Sequence, residues 1–366
     1  MSPKDLTDVG ERKANHLAIC AEDDVGFRAQ GTLLDGVRLI HDALPELSVD
    51  DIDLRVRLFG KVLRAPIVIA SMTGGTDEAG VINRKLAEIA EERGYAFGLG
   101  SQRAMIKRPS SAGSFHVREV APTTLVFGNV GGVQAVKSST AEIAALVAEV
   151  GADALCVHLN PAMELVQPEG DRDFRGVVDA IARLHRELDV PVIAKETGCG
   201  ISPAAAKKLR AIGVRHVDVS GAGGTSWVGV ETKRAAGRDD KKRALGEALW
   251  DWGVPTAVST AVCAHAGFST VIATGGVGSG LDVARAIVLG ASAAGVARPV
   301  LIALHRHGED GVRALLDGVE AELRAAMLLV GARDVAALRA SPRVLSGELR
   351  GWLDQLGCAG AIATTL

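Results

Sequence analysis

The chain has 366 residues, 48% of them hydrophobic, so it can bury a large core. Its formal net charge of −3 leaves no basic footprint for nucleic acid. No apolar run is long enough for a transmembrane helix, and Met1-Ser2-Pro3-Lys4-Asp5 lacks the apolar stretch of a signal peptide. Five cysteines without a CxxC pair predict a reduced, cytoplasmic protein.

Residues 1–60 read as an N-terminal extension packed on the remainder of the chain. Eight short apolar runs then recur, at 67–70, 96–99, 125–128, 154–158, 192–195, 216–219, 270–273 and 294–296. Continuous apolar runs suit strands buried on both faces of a parallel sheet. Helical patterns lie between them. Ile82, Leu86, Ile89 and Ala90 mark one apolar face over 80–92, and Thr140 is a candidate cap for 141–150. Ser202-Pro203 opens a helix over 204–212, and Ser279-Gly280 leads into 281–289, ended by Gly290. The charge run 231–243 reads as a solvated loop, or else as a mobile lid. Amphipathic stretches at 311–329 and 335–338 predict closing helices. Eight strand-helix units predict an α/β fold, a (β/α)8 TIM barrel over 61–366 forming one structural domain with the extension. An open doubly wound sheet is the alternative, but an early GxGxxG is absent.

The chemistry-bearing residues stand just after the apolar runs, where barrel enzymes place their sites. The first run is followed by Ala70-Ser71-Met72-Thr73-Gly74-Gly75 and the second by Gly100-Ser101-Gln102-Arg103. Arg103 there can grip a phosphate or carboxylate. Asn129 follows the third run and either bonds a cofactor ring or forms a turn. The fourth run opens into His158-Leu159-Asn160-Pro161-Ala162-Met163-Glu164, an imidazole, an amide and a carboxylate within seven residues. Glu164 can help hold a hard divalent cation alongside phosphate oxygens, or remain solvated. Lys195 ends the fifth run and points into the mouth, or pairs with Glu196. Glycine-rich loops follow the sixth run, from Ser220 through Thr225, and the seventh, from Gly275 and Gly276 to Gly278, Ser279 and Gly280. Without a Cβ, such backbones can approach a phosphate closely. Ala297-Arg298 follows the eighth. Near the start, Arg12, Lys13 and His16 form a small basic cluster that alone would be a surface patch.

Taken in order, these motifs resemble the type 2 isopentenyl-diphosphate isomerase family from about residue 11 to 356, with Lys195-Glu196-Thr197-Gly198 and Gln167-Pro168-Glu169-Gly170-Asp171 among the matching segments. The resemblance implies a TIM barrel that binds FMN at its mouth and uses the reduced flavin for acid–base catalysis. It implies NADPH as a priming reductant, Mg2+ on the diphosphate, and a homo-tetramer or homo-octamer. By matching motif, FMN falls to Ser71, Met72, Thr73, Ser101, Asn129, Lys195, Ser220 and Thr225. Its phosphate falls to the backbone of Gly275, Gly276, Gly278, Ser279, Gly280, Ala297 and Arg298. The prenyl diphosphate falls to Arg12, Lys13, His16, Arg103, His158 and Asn160. Glu164 takes the metal, and the catalytic positions are Lys195, Met163 and Glu164.

Two positions depart from the family pattern. Met163 stands where the family carries Gln, and Gly278 where it carries Arg. A thioether cannot shuttle a proton. The expected activity is interconversion of isopentenyl and dimethylallyl diphosphate. A divergent isomerase or cyclase of a longer prenyl diphosphate is the alternative, and a non-catalytic flavin-binding scaffold is a third.

Overall fold

The computed structural model describes residues 15–237 and 239–358. Its centre is a closed barrel of eight parallel strands. They are β1 (Ile67–Ile69), β2 (Ala96–Gly98), β3 (Leu125–Gly131), β4 (Ala154–Leu159), β5 (Val192–Glu196), β6 (His216–Asp218), β7 (Thr270–Ala273) and β8 (Ala293–Val296). Neighbours follow chain order, and β8 returns to β1 through Ala294↔Ile67 and Val296↔Ile69. Closure removes the sheet edges, so the TIM barrel holds and the open sheet does not. The strands stand where the apolar runs are. β3 continues past 128, however, so Asn129 is paired within it rather than following it.

Local signals set the helices. Thr76 caps Asp77–Arg93 by accepting from the Ala79 N–H, and Gly94 ends it at φ 63°. Helix Thr140–Glu149 is capped by Ser139 rather than Thr140. Ser139 and Glu142 form a reciprocal capping box, which satisfies two otherwise free N–H groups. Pro203 occupies the first turn of Pro203–Ala211 behind the Ser202 cap. The closing helix begins earlier than expected. It runs Arg298–Leu328 directly from β8, broken at Gly308, whose φ of 65° interrupts the helix.

The charge run is not a loop. Helices Trp227–Ala235 and Asp240–Ala248 cover most of it, and Glu231, Thr232 and Arg234 are buried. Val228 and Val230 bury the first helix, and the carboxylate of Glu231 is matched by the Arg234 guanidinium and the His16 ring.

Apolar side chains fill two spaces. One lies between strands and helices. The other lies inside the barrel, where Val68, Phe127, Cys156, Ile193 and Ile272 meet Leu58 and Leu63. Those two leucines come from an antiparallel hairpin, Val56–Leu58 with Lys61–Leu63, which seals the bottom of the barrel. Beside it Asp153 binds Lys61 at 2.8 Å and Arg118 at 2.6 Å. The extension is further tied down by Val37–Leu39 pairing with Arg343–Leu345. No helix among the described residues is long and apolar enough to cross a membrane.

Candidate active site

Parallel pairing builds the mouth one layer above the apolar interior. Phe127, Cys156 and Ile193 fill the barrel, and two residues on, Asn129, His158 and Lys195 point the same way. The register sets His158 beside Lys195, and Lys195 beside Asp218. All but Asp218 front a cavity of about 510 Å³. His158 Nδ1 lies 2.7 Å from Asn129 Oδ1. Lys195 Nζ donates to Asp218 Oδ2 at 2.7 Å, and Thr274 Oγ1 donates to the other carboxylate oxygen. The pairing with Glu196 does not form. Glu196 instead accepts from the N–H groups of Thr197, Gly198, Cys199 and Gly200 at 2.5–3.1 Å. Burial pushes its carboxyl up to about 7, against the pull of those donors.

The loop after β4 supplies the next group. Asn160 precedes helix Pro161–Val166, whose first turn Pro161 starts. Glu164 is buried. It accepts from Asn160 Nδ2 at 3.1 Å and from the Asp171 N–H at 2.8 Å. Gly170 is required here, because a Cβ would stand 2.0 Å from the Glu164 carbonyl oxygen. Met163 lines the cavity, its sulfur 3.8 Å from Asn160 Nδ2. Arg103 lines it too, 4.0 Å from Asp171, which also holds Lys137 at 2.9 Å.

A helix over 15–22 brings His16 to the same cavity. His16 Nε2 lies 2.7 Å from Glu231 Oε1, and its ring meets Trp227 edge-on at 5.4 Å. Burial alone would raise the Glu231 carboxyl, but His16 and Arg234 outweigh it and hold the group below its ordinary range. Arg12 and Lys13 lie outside the described residues.

The opposite wall is formed by Ser71, Met72, Thr73, Ser101, Ser220, Thr225, Gly275, Gly276, Ala297 and Arg298, all on the cavity. Gly275 has φ 98°, and a Cβ there would come 2.2 Å from the Gly221 carbonyl oxygen. Gly278, Ser279 and Gly280 are not part of this wall. The Gly278 and Ser279 N–H groups donate to Asp282 at 3.2 Å, and that of Gly280 donates to Glu322 at 2.8 Å. Carboxylates that cap helix Gly280–Val288 thus occupy the donors that the sequence suggested for a phosphate. The Arg298 guanidinium donates to the carbonyls of Cys20 at 2.9 Å and Asp23 at 2.5 Å, tying the His16 segment to the end of β8.

Known proteins resemble this chain in sequence and in fold. The FMN-dependent dehydrogenase family model matches residues 162–345. An isopentenyl-diphosphate delta-isomerase of Methanothermobacter thermautotrophicus is 43% identical over 351 residues, covering 95% of this chain and 97% of the relative. One from Nostoc sp. is 44% identical over 346 residues, covering 93% and 98%. The chain belongs to the FMN-dependent, type 2 isopentenyl-diphosphate delta-isomerase family. A mandelate oxidase structure with (S)-2-phenylpropionate aligns at TM-score 0.63 over 93% of this chain and 98% of the oxidase. At 21% identity that likeness reports the fold alone.

For a member of the isomerase family, the site residues fit a flavin nucleotide. Hydroxyls of Ser71, Thr73, Ser101, Ser220 and Thr225, the Asn129 amide and the buried Lys195 ammonium line one cavity, and Gly275 and Gly276 leave part of its wall as bare backbone. Among the described residues, no group of three His, Cys, Asp or Glu could hold a metal alone. A divalent cation held by Glu164 would need further oxygens from its ligand. Sequence reasoning missed Asp218, Glu231 and Gln134, of which only Gln134 fronts the cavity. The signal for Asp218 was a lone carboxylate inside the apolar run Val217-Asp218-Val219. Glu231 was hidden because it opens the charge-rich run 231–243.

Proposed function

We propose that this chain interconverts isopentenyl diphosphate and dimethylallyl diphosphate, with reduced FMN as its acid–base group. One observation carries the reading: Lys195, the Asn129–His158 pair and the Asn160–Glu164 pair converge on a single cavity at the barrel mouth. The names of the relatives support it. Moving a double bond by one carbon adds a proton at one carbon and removes one from another. The alkene is a very weak base, so a tertiary cation-like transition state must be stabilised. When bound and reduced, FMN supplies the electron-rich surface and the exchangeable proton for that step.

The side chains bind and orient. Lys195 fronts the cavity, where its ammonium would favour the anionic form of a bound flavin. Ser71, Met72, Thr73, Ser101, Asn129, Ser220 and Thr225 hold the cofactor. The backbone of Gly275, Gly276, Ala297 and Arg298 holds its phosphate, while Gly278, Ser279 and Gly280 cap the helix behind. Arg12, Lys13, His16, Arg103, His158 and Asn160 would grip the diphosphate, and Glu164 would help hold Mg2+ beside it. The diphosphate does not react. Its binding energy orients the alkene. NADPH primes the flavin without being consumed in each turnover, and the working form is a cytoplasmic homo-tetramer or homo-octamer.

Met163 favours a second reading. An apolar thioether beside Asn160 suits a longer prenyl chain and keeps bases away from a carbocation, as an isomerase or cyclase of larger diphosphates would require. An anaerobic assay with FMN, Mg2+, isopentenyl diphosphate and sub-stoichiometric NADPH separates the two. Dimethylallyl diphosphate in large excess over NADPH consumed supports the first reading. A reduced flavin with no product from isopentenyl diphosphate, but with a rearranged product from geranyl diphosphate, supports the second.

A further inference from the structure

Asp218 has no assigned role, and its position is unusual. It ends β6 directly beside Lys195 in the register, and its carboxylate is almost wholly buried. One oxygen takes the Lys195 ammonium at 2.7 Å and the other takes the Thr274 hydroxyl. Lys195 fronts the cavity and Asp218 does not. The carboxylate therefore stands behind the ammonium, one hydrogen bond further from whatever fills the mouth. Two opposite charges so close, both out of water, act on a third group as a dipole with little net charge. Both charges are felt by their surroundings. The Cys156 thiol beneath them is pushed up to about 12, chiefly by burial, then by the Asp218 charge, with Lys195 opposing.

We propose that Asp218 is a positioning residue that tunes Lys195, so that a flavin in the mouth meets an ion pair rather than a bare cation. This rests on the reading that FMN binds there. A bare buried lysine would hold an anionic reduced flavin tightly. The pair moderates that preference and leaves the flavin basic enough to take up and release a proton. Thr274 holds the carboxylate in register and adds no charge of its own.

The test is the midpoint potential of bound FMN in the purified holoenzyme, with FMN affinity measured by fluorescence quenching. Asp218→Asn removes one negative charge and should raise the potential, with reduced FMN gaining on the order of tenfold over oxidised FMN. Lys195→Met should lower it. Thr274→Val, which alters contacts but not charge, should shift it far less than Asp218→Asn. The sign is decisive. A purely structural anchor for Lys195 would, when lost, leave the potential unchanged or lower it, and either result overturns the proposal. Should Asp218→Asn not fold, the double variant Lys195→Met/Asp218→Asn removes both buried charges together. Its potential should lie well above that of Lys195→Met alone. Equal values for the two would overturn the proposal. A wild-type protein that binds no FMN would instead refute the cofactor reading.

Discussion

The two ends of the barrel use the same eight strands for opposite purposes. At the bottom, Leu58 and Leu63 plug the interior, Phe59 meets Phe127 and His216 edge-on, and Asp153 is matched by Lys61 and Arg118. At the mouth, the same strands carry Asn129, His158, Lys195 and Asp218 at or near their ends, and a cavity replaces the plug. The bottom encloses apolar surface and so stabilises the fold. The mouth keeps polar groups buried around an open volume, which opposes stability and serves binding.

Substitutions should separate the ends. The largest effect belongs to Lys195→Met, with turnover falling roughly a thousandfold or more while the circular dichroism spectrum stays that of the wild type. Glu164→Gln should weaken Mg2+-dependent substrate binding by roughly 10–100-fold, read as KM against Mg2+ concentration, with little change in Tm. At the other end, Leu58→Ala should cost about 2–5 kcal/mol in denaturant unfolding, with kcat per folded molecule unchanged. A Glu164→Gln protein that unfolds, or a folded Leu58→Ala protein without turnover, would contradict this division of roles between the two ends.

The smallest effect concerns pH. The Glu196 carboxyl sits near 7 in the folded protein, above its ordinary value of 4.5. The folded state therefore holds that proton more firmly than the unfolded chain. Its contribution to stability is full below about pH 4.5 and declines as the pH rises through about 7. Glu196→Gln should flatten the change in Tm across that window. An unchanged slope would mean that the four N–H donors keep the group ionised throughout.

Much of this was legible in the sequence. The eight apolar runs located the strands, because a strand buried on both faces needs no alternation. The residues just after them located most of the mouth, because strand ends project into it. What the sequence left hidden has physical causes. The plug at 56–63 alternates like any exposed hairpin, and only its partners inside the barrel reveal its role. The charge run 231–243 was read by composition, although Glu231 is buried by pairing with His16, far away near the start of the chain. Gly278, Ser279 and Gly280 looked like phosphate donors, because the sequence does not tell which acceptor a backbone N–H will meet. Asp282 and Glu322 reach them here.

Isomerisation at the mouth requires a proton to move on and off the prenyl diphosphate without net redox change. The most direct measurement is NMR of the anaerobic holoenzyme with isopentenyl diphosphate and Mg2+ in deuterated water, after priming with catalytic NADPH. The predicted result is dimethylallyl diphosphate carrying deuterium, accumulating over many turnovers per NADPH consumed. Bound, reduced flavin with no deuterium entering substrate or product would contradict it.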